Sequence, residues 1–163
     1  MAQGEFVLLR ESLEPALHLS GQPVQRGTMA HEHAVCMMLV DAATMAADEA
    51  ILGRYAPKLE ELAQRDGHLP YLGVAHRALG VAHRLAGEHA EAEARLKLAL
   101  ELFQGMQAGW QVGRTLCELA RLDLARSDRA AALEHFGQAL EAFEALGAAP
   151  DAERTRQALA DIS

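Results

Sequence analysis

The chain has 163 residues, half of them apolar and only 4% aromatic, with a net charge of −8. A core made mainly of Ala, Leu and Val lets helices approach closely, so the composition points to an all-α fold and away from sheets. The acid excess opposes a broad nucleic-acid surface, which needs clustered cations.

Taken in chain order, "EFVLLRESLEPALHL" predicts a helix over about 5–19, followed by the loop "SGQPVQRG". Arg10, Glu11 and Glu14 interrupt its apolar run and no basic start precedes it, so no signal peptide is expected. Residues 29–69 then form an irregular unit of two helices. Pro57 falls inside the second of them, where loss of the N–H should kink or restart the helix. Over 70–108 one helix is predicted for Tyr71 to Ala86 and another for Glu88 to Gln104, with Gly87 suited to the left-handed turn between them. Over 109–148 the helices are Trp110 to Arg126 and Arg129 to Leu146, with Ser127 and Asp128 expected to supply N-cap oxygens to the second, Ser127 standing in place of the turn glycine, and Gly147 at the end. Pro150 and Asp151 then open a last helix within 149–163. We expect one domain over 1–163. No apolar run reaches the roughly 20 residues of a membrane span, and Cys36 and Cys117 form no paired motif, so a reduced, cytoplasmic protein with no membrane partner is expected.

A period of 40 residues runs through the chain. Leu39-Val40, Leu79-Gly80, Leu119-Ala120 and Leu159-Ala160 are each a large-small pair at that spacing. Leu52, Ala92 and Ala132 form a second series, Leu59, Ala99 and Ala139 a third, and Phe103 and Phe143 recur too. Such self-similarity marks a solenoid whose helix pairs bury their apolar faces against neighbours. Leu79, Gly80, Gly87, Ala92, Ala99 and Leu100, then Leu119, Ala120, Ala132, Phe136, Ala139 and Leu140, resemble the tetratricopeptide repeat. The spacing exceeds the family's usual ~34 residues, and is similar to the longer variety found in bacterial transcriptional activators and in cyclase- or ATPase-linked signalling proteins. The resemblance covers roughly residues 70–161 and implies a right-handed α-α superhelix whose inner helices line a concave groove.

Four arginines stand out. Arg77 and Arg84 are seven apart on one inner helix, Arg114 and Arg121 seven apart on the next, so the repeat sets two stripes side by side. Residues 71–86 carry two arginines and no acid, whereas 88–103 carry four Glu against Arg95 and Lys97. An acidic chain that reserves arginines for one face presents a local positive groove, and arginine forks take carboxylates bidentately. We therefore expect an acidic peptide or protein segment in a groove of Arg77, Val81, Arg84, Arg114, Cys117 and Arg121, with Val74 and Leu85 adding apolar contacts. The bland alternative leaves the arginines solvated or paired with Glu118 and Asp123.

Other chemistry is thinner. "HEHAVC" offers His31, His33 and Cys36 as metal ligands, yet only His33 and Cys36 share a helical face and no further group completes a site. His76 and His83 share a face as well, but stand where bulky packing residues are usual in the resemblance. No catalytic residue, metal or cofactor is expected, and the chain reads as a non-enzyme. A second reading is a regulatory or sensory domain answering a small ligand or partner, and a third is an enzyme built on those His and Cys groups. Exposed helix faces at solenoid ends also suggest a homodimer.

Overall fold

The computed structural model describes residues 3–18 and 29–162, with side chains from Val7 to Pro15 and from Glu32 to Ile162. The loop expected over 20–27 and the His31 side chain lie outside the described residues. The described residues form eight helices and no strand: α1 (Gln3–His18), α2 (Met29–Ala46), α3 (Glu49–Arg65), α4 (Leu69–Leu85), α5 (His89–Gly105), α6 (Gly109–Ala125), α7 (Arg129–Ala145) and α8 (Ala149–Ile162). The all-α expectation holds, and no helix is long and apolar enough to cross a membrane among these residues.

The turns repeat with half the period of the sequence. Ala47, Gly67, Gly87, Gln107, Ser127 and Gly147, each 20 residues apart, all have positive φ. At every one the following residue's N–H donates to the carbonyl five positions back, from Asp48 to Ala43 through Ala148 to Phe143, at 2.8–3.0 Å. This is the Schellman closure, in which a left-handed residue lets the last carbonyls of one helix be satisfied while the chain reverses. Glycine takes that conformation without cost; Ala47, Gln107 and Ser127 take it with their side chains in place. Asp48 and Asp128 then cap α3 and α7 through their carboxylates, each 3.0 Å from the N–H three residues on.

Each helix packs against the next in the chain, and α2, α4 and α6 also touch one another in sequence. Three close approaches seat the helix pairs, one of them Gly80 of α4 on Leu96 of α5. A Cβ on Gly73 of α4 would stand 2.7 Å from the Phe103 ring of α5, and one on Gly113 of α6 would stand 2.7 Å from Phe143 of α7. The recurrent phenylalanines therefore lie over bare backbone, which explains why large residues on one helix match glycine on its partner. The apolar core runs from Val35, Leu39 and Leu52 to Leu96, Leu122 and Phe143 with scarcely a large aromatic besides Tyr55 and the phenylalanines.

Of the two outcomes expected at Pro57, a kink or a restart, the helix does not restart. α3 continues through it without interruption from Glu49 to Arg65. Pro57 and Gly53, whose carbonyl loses its donor, are both exposed, so water takes the freed oxygen. A proline in a helix interior costs about 3 kcal/mol, while the buried Leu59 and Leu62 that follow it contribute about 2 kcal/mol apiece. Burial on both sides of the proline outweighs its cost.

Candidate binding face

The four arginines do come together, around carboxylates that sit on other helices. Asp41 interrupts the apolar run "MMLVDAAT" of α2 and reaches toward α4 and α6. Arg77 of α4 donates to its Oδ1 and Arg114 of α6 to its Oδ2, both at 2.8 Å. Arg77 also donates to Gln111 Oε1 at 2.6 Å, and its guanidinium stands 5.4 Å from the centre of the Phe103 ring. Arg114 lies over Trp110 at 4.7 Å. One carboxylate thus ties three helices together.

Burial of this knot perturbs both partners. Desolvation by itself would raise the Asp41 carboxyl, but the facing charges of Arg77 and Arg114 outweigh it and hold it below its ordinary value. Arg77 is 1% exposed, and burial pushes it down to about 10, helped by Arg114 and opposed by Asp41. It stays charged at neutral pH. A second carboxylate serves the other two arginines: Glu118 of α6, itself buried, stands 3.6 Å from Arg84 and accepts from Arg121. Arg77 Nε, Arg84 Nε and Glu118 Oε2 are buried without a hydrogen-bond partner, so this network is not saturated.

A cavity of about 190 Å³ opens beside it, lined by Met45 of α2, by Phe143 of α7, by Arg114, Cys117 and Arg121 of α6 and Arg154 of α8, and by the carboxylates Glu118 and Asp151 that pair with Arg121 and Arg154. Arg121 and Arg154 are its exposed cations, at 50% and 63%. Arg154 pairs with Asp151, which also accepts from the Trp110 indole at 3.0 Å. The network therefore holds Arg77, Arg84, Arg114, Arg121 and Arg154 against Asp41, Glu118 and Asp151: Asp41 accepts from two arginines, Asp151 from Arg154 and Trp110, and Glu118 accepts from Arg121 and stands within ion-pair reach of Arg84. Such sharing leaves spare guanidinium N–H groups and a local positive excess in an acidic protein.

Set against the expected groove, Arg114, Cys117 and Arg121 line open space. Arg84 is largely buried. Arg77 and Val81 are enclosed, Val81 completely, because both face the α2–α5 core; neither side chain is surface for a ligand. Glu118 does take two of the arginines, while Asp123 pairs instead with His135 at 2.6 Å. Asp41 and Arg154 were missed. An acid inside an apolar helix signals a buried cation partner, and Arg154 falls 40 residues after Arg114.

The candidate histidines His33, His76 and His83 do not converge on one another, although the His33 and His68 rings stack at 6.4 Å. His76 is buried, and its Nδ1 accepts from Arg95 at 3.1 Å, beside Glu60. That contact requires a neutral ring at Nδ1, in keeping with a pKa lowered mainly by burial, with Glu60 opposing and Arg95 adding to it. His83 bonds Glu88 at 2.6 Å. His33 reaches Asp66 and the Leu62 carbonyl, and Cys36 is fully buried with its thiol pushed up to about 11. Burial raises the Cys117 thiol also, so neither cysteine is a poised nucleophile. Among the described residues no His, Cys, Asp and Glu group has the geometry to hold a metal ion.

No protein-family model matches the chain, and no curated protein matches it either.

Proposed function

We propose that this chain is a non-catalytic binding module that holds an acidic segment of a partner protein along the face built from α2, α4, α6 and α8. The observation that carries this reading is the five-arginine, three-carboxylate network beside an open cavity in a protein of net charge −8. Packing of each helix on the next, with α2 also on α4 and α4 on α6, supports a stack of helix pairs like that of tetratricopeptide repeats. Met45 of α2 and Arg154 of α8 line one cavity, as a concave face would require. The buried knot fixes Arg114, and Glu118 and Asp151 hold Arg121 and Arg154 in place before any ligand arrives, which lowers the ordering cost of binding. Two free cysteines suit a cytoplasmic setting.

The test is affinity capture from the source organism's lysate, with wild type beside an Arg121→Glu/Arg154→Glu variant checked for unchanged helicity. Proteins retained by wild type and lost by the variant support the reading. The same proteins recovered with both would refute it. A second reading, a sensory domain for a small anion, draws on the same cavity, whose ~190 Å³ suits a ligand of a dozen or so heavy atoms. A rise in melting temperature with succinate, abolished by Arg121→Glu, would favour it over the peptide.

A further inference from the structure

The arginine-lined cavity has a neighbour of opposite character. A cleft of about 270 Å³ is walled by Met37 of α2, Tyr71 and Val74 of α4, Phe103 and Met106 of α5, and Gln111 of α6. Its lining is almost wholly apolar and contains no charged group. The two spaces are consecutive stations along the same helices. On α2 the order is Met37 in the cleft, Asp41 in the buried knot and Met45 in the cavity. On α6 it is Gln111 in the cleft, Arg114 in both knot and cavity, then Cys117 and Arg121 in the cavity. Gln111 also accepts from Arg77, so the floor between the stations is the knot itself.

We propose that these stations read a two-part signature in the partner: one large apolar side chain in the cleft and an acidic side chain in the arginine cavity, on an extended segment with about three residues between them. This rests on the acidic-segment reading above and adds its register. The spacing follows from helix geometry. Met37 and Met45 are eight residues apart, which is about 12 Å at 1.5 Å per residue. An extended chain advances about 3.3 Å per residue, so the two anchors are about four positions apart. The apolar station selects for area removed from water, the polar one for charge, and each alone is weak.

Occupancy by an acidic partner, and not by a second copy's basic or purely apolar surface, is argued from charge. Arg121 and Arg154 stand exposed in the cavity on the far side of the knot from the cleft, and Asp151 is already shared with the Trp110 indole. The methionines of both stations, Met37, Met106 and Met45, are flexible and tolerate variation in the apolar residue, so the signature is set by spacing more than by identity.

The experiment uses the full chain and fluorescein-labelled synthetic peptides in which one Phe and a Glu-Glu pair are separated by one, three or six Ser/Gly residues, read by fluorescence anisotropy. Companion peptides replace Phe by Ser or both Glu by Gln. The three-residue spacer is expected to bind about tenfold tighter than the other two and than either companion. Met37→Gln should erase the preference for Phe while leaving the need for Glu; Arg121→Gln should do the reverse. Because the peptide series needs no variant, a poorly folding mutant leaves the test intact. Binding that requires Glu but ignores Phe, or that peaks at another spacer, overturns this inference and leaves the acidic-segment reading standing. Binding no tighter than the Gln companion for every peptide at low salt overturns both.

Discussion

Removing the Asp41 carboxylate is the sharpest test of the buried knot. Asp41→Ala takes away the acceptor of two 2.8 Å bonds and leaves Arg77, 1% exposed, with Gln111 alone and its Nε already unpartnered. Truncating one partner of a fully buried ion pair costs about 3–5 kcal/mol, because the other charge is stranded. The Asp41 side chain is 25% exposed, so water enters the vacated space and the expected loss falls to about 3 kcal/mol. For a domain of this size that lowers the melting temperature by about 6–12 °C. Urea denaturation followed by circular dichroism should show a lower midpoint with an unchanged slope. The partner substitution supplies the decisive comparison. Arg77→Leu in the Asp41→Ala background should recover about 1–2 kcal/mol, since an apolar side chain replaces a stranded cation. Additive losses in the double variant would show that the two side chains are energetically independent, and the account of the knot would be refuted.

The left-handed turns predict gains: Ser127→Gly and Gln107→Gly should each raise stability by about 1 kcal/mol, read as a higher urea midpoint, because φ of 63° and 54° burdens any residue with a Cβ. Helical glycines divide by their surroundings. Gly80→Ala would place a Cβ 2.6 Å from Leu96 Cγ and 3.1 Å from the Ala92 carbonyl and should destabilise by about 1–2 kcal/mol, whereas Gly137→Ala meets nothing within 4 Å and should stabilise by up to about 1 kcal/mol. The pair of melting curves should move in opposite directions. His76 makes stability pH-dependent. Its folded pKa lies below the ordinary 6.5, so its contribution is complete above about pH 6.5 and is lost as pH falls from there through the folded value. His76→Gln should flatten the stability profile below pH 6.5, and an unchanged slope there would remove the histidine from the account.

Much of the helical framework was legible before any coordinates because its causes are local. Apolar residues at helical spacing place α4 to α8 within a few residues of where they stand, and Gly87, Ser127 and Gly147 mark reversals because a left-handed turn is required there. The 40-residue echo of Phe103 and Phe143 follows from two glycine seats, Gly73 and Gly113, at the same interval. α3 runs on through Pro57 because the buried Tyr55 and Leu59 flank it, a tertiary contribution that the local rule of the missing N–H leaves out. The candidate face was legible as arginines on two helices with Glu118 as one acid partner, and without Asp41. Which carboxylate would meet them depended on chain segments 36 and 73 residues away, and on the packing that turned Val81 inward while leaving Arg121 and Arg154 toward open space. Periodicity along a helix states which residues share a side. Only the approach of α2, α4, α6 and α8 decides which sides meet, and so which charges neutralise each other and which stay exposed.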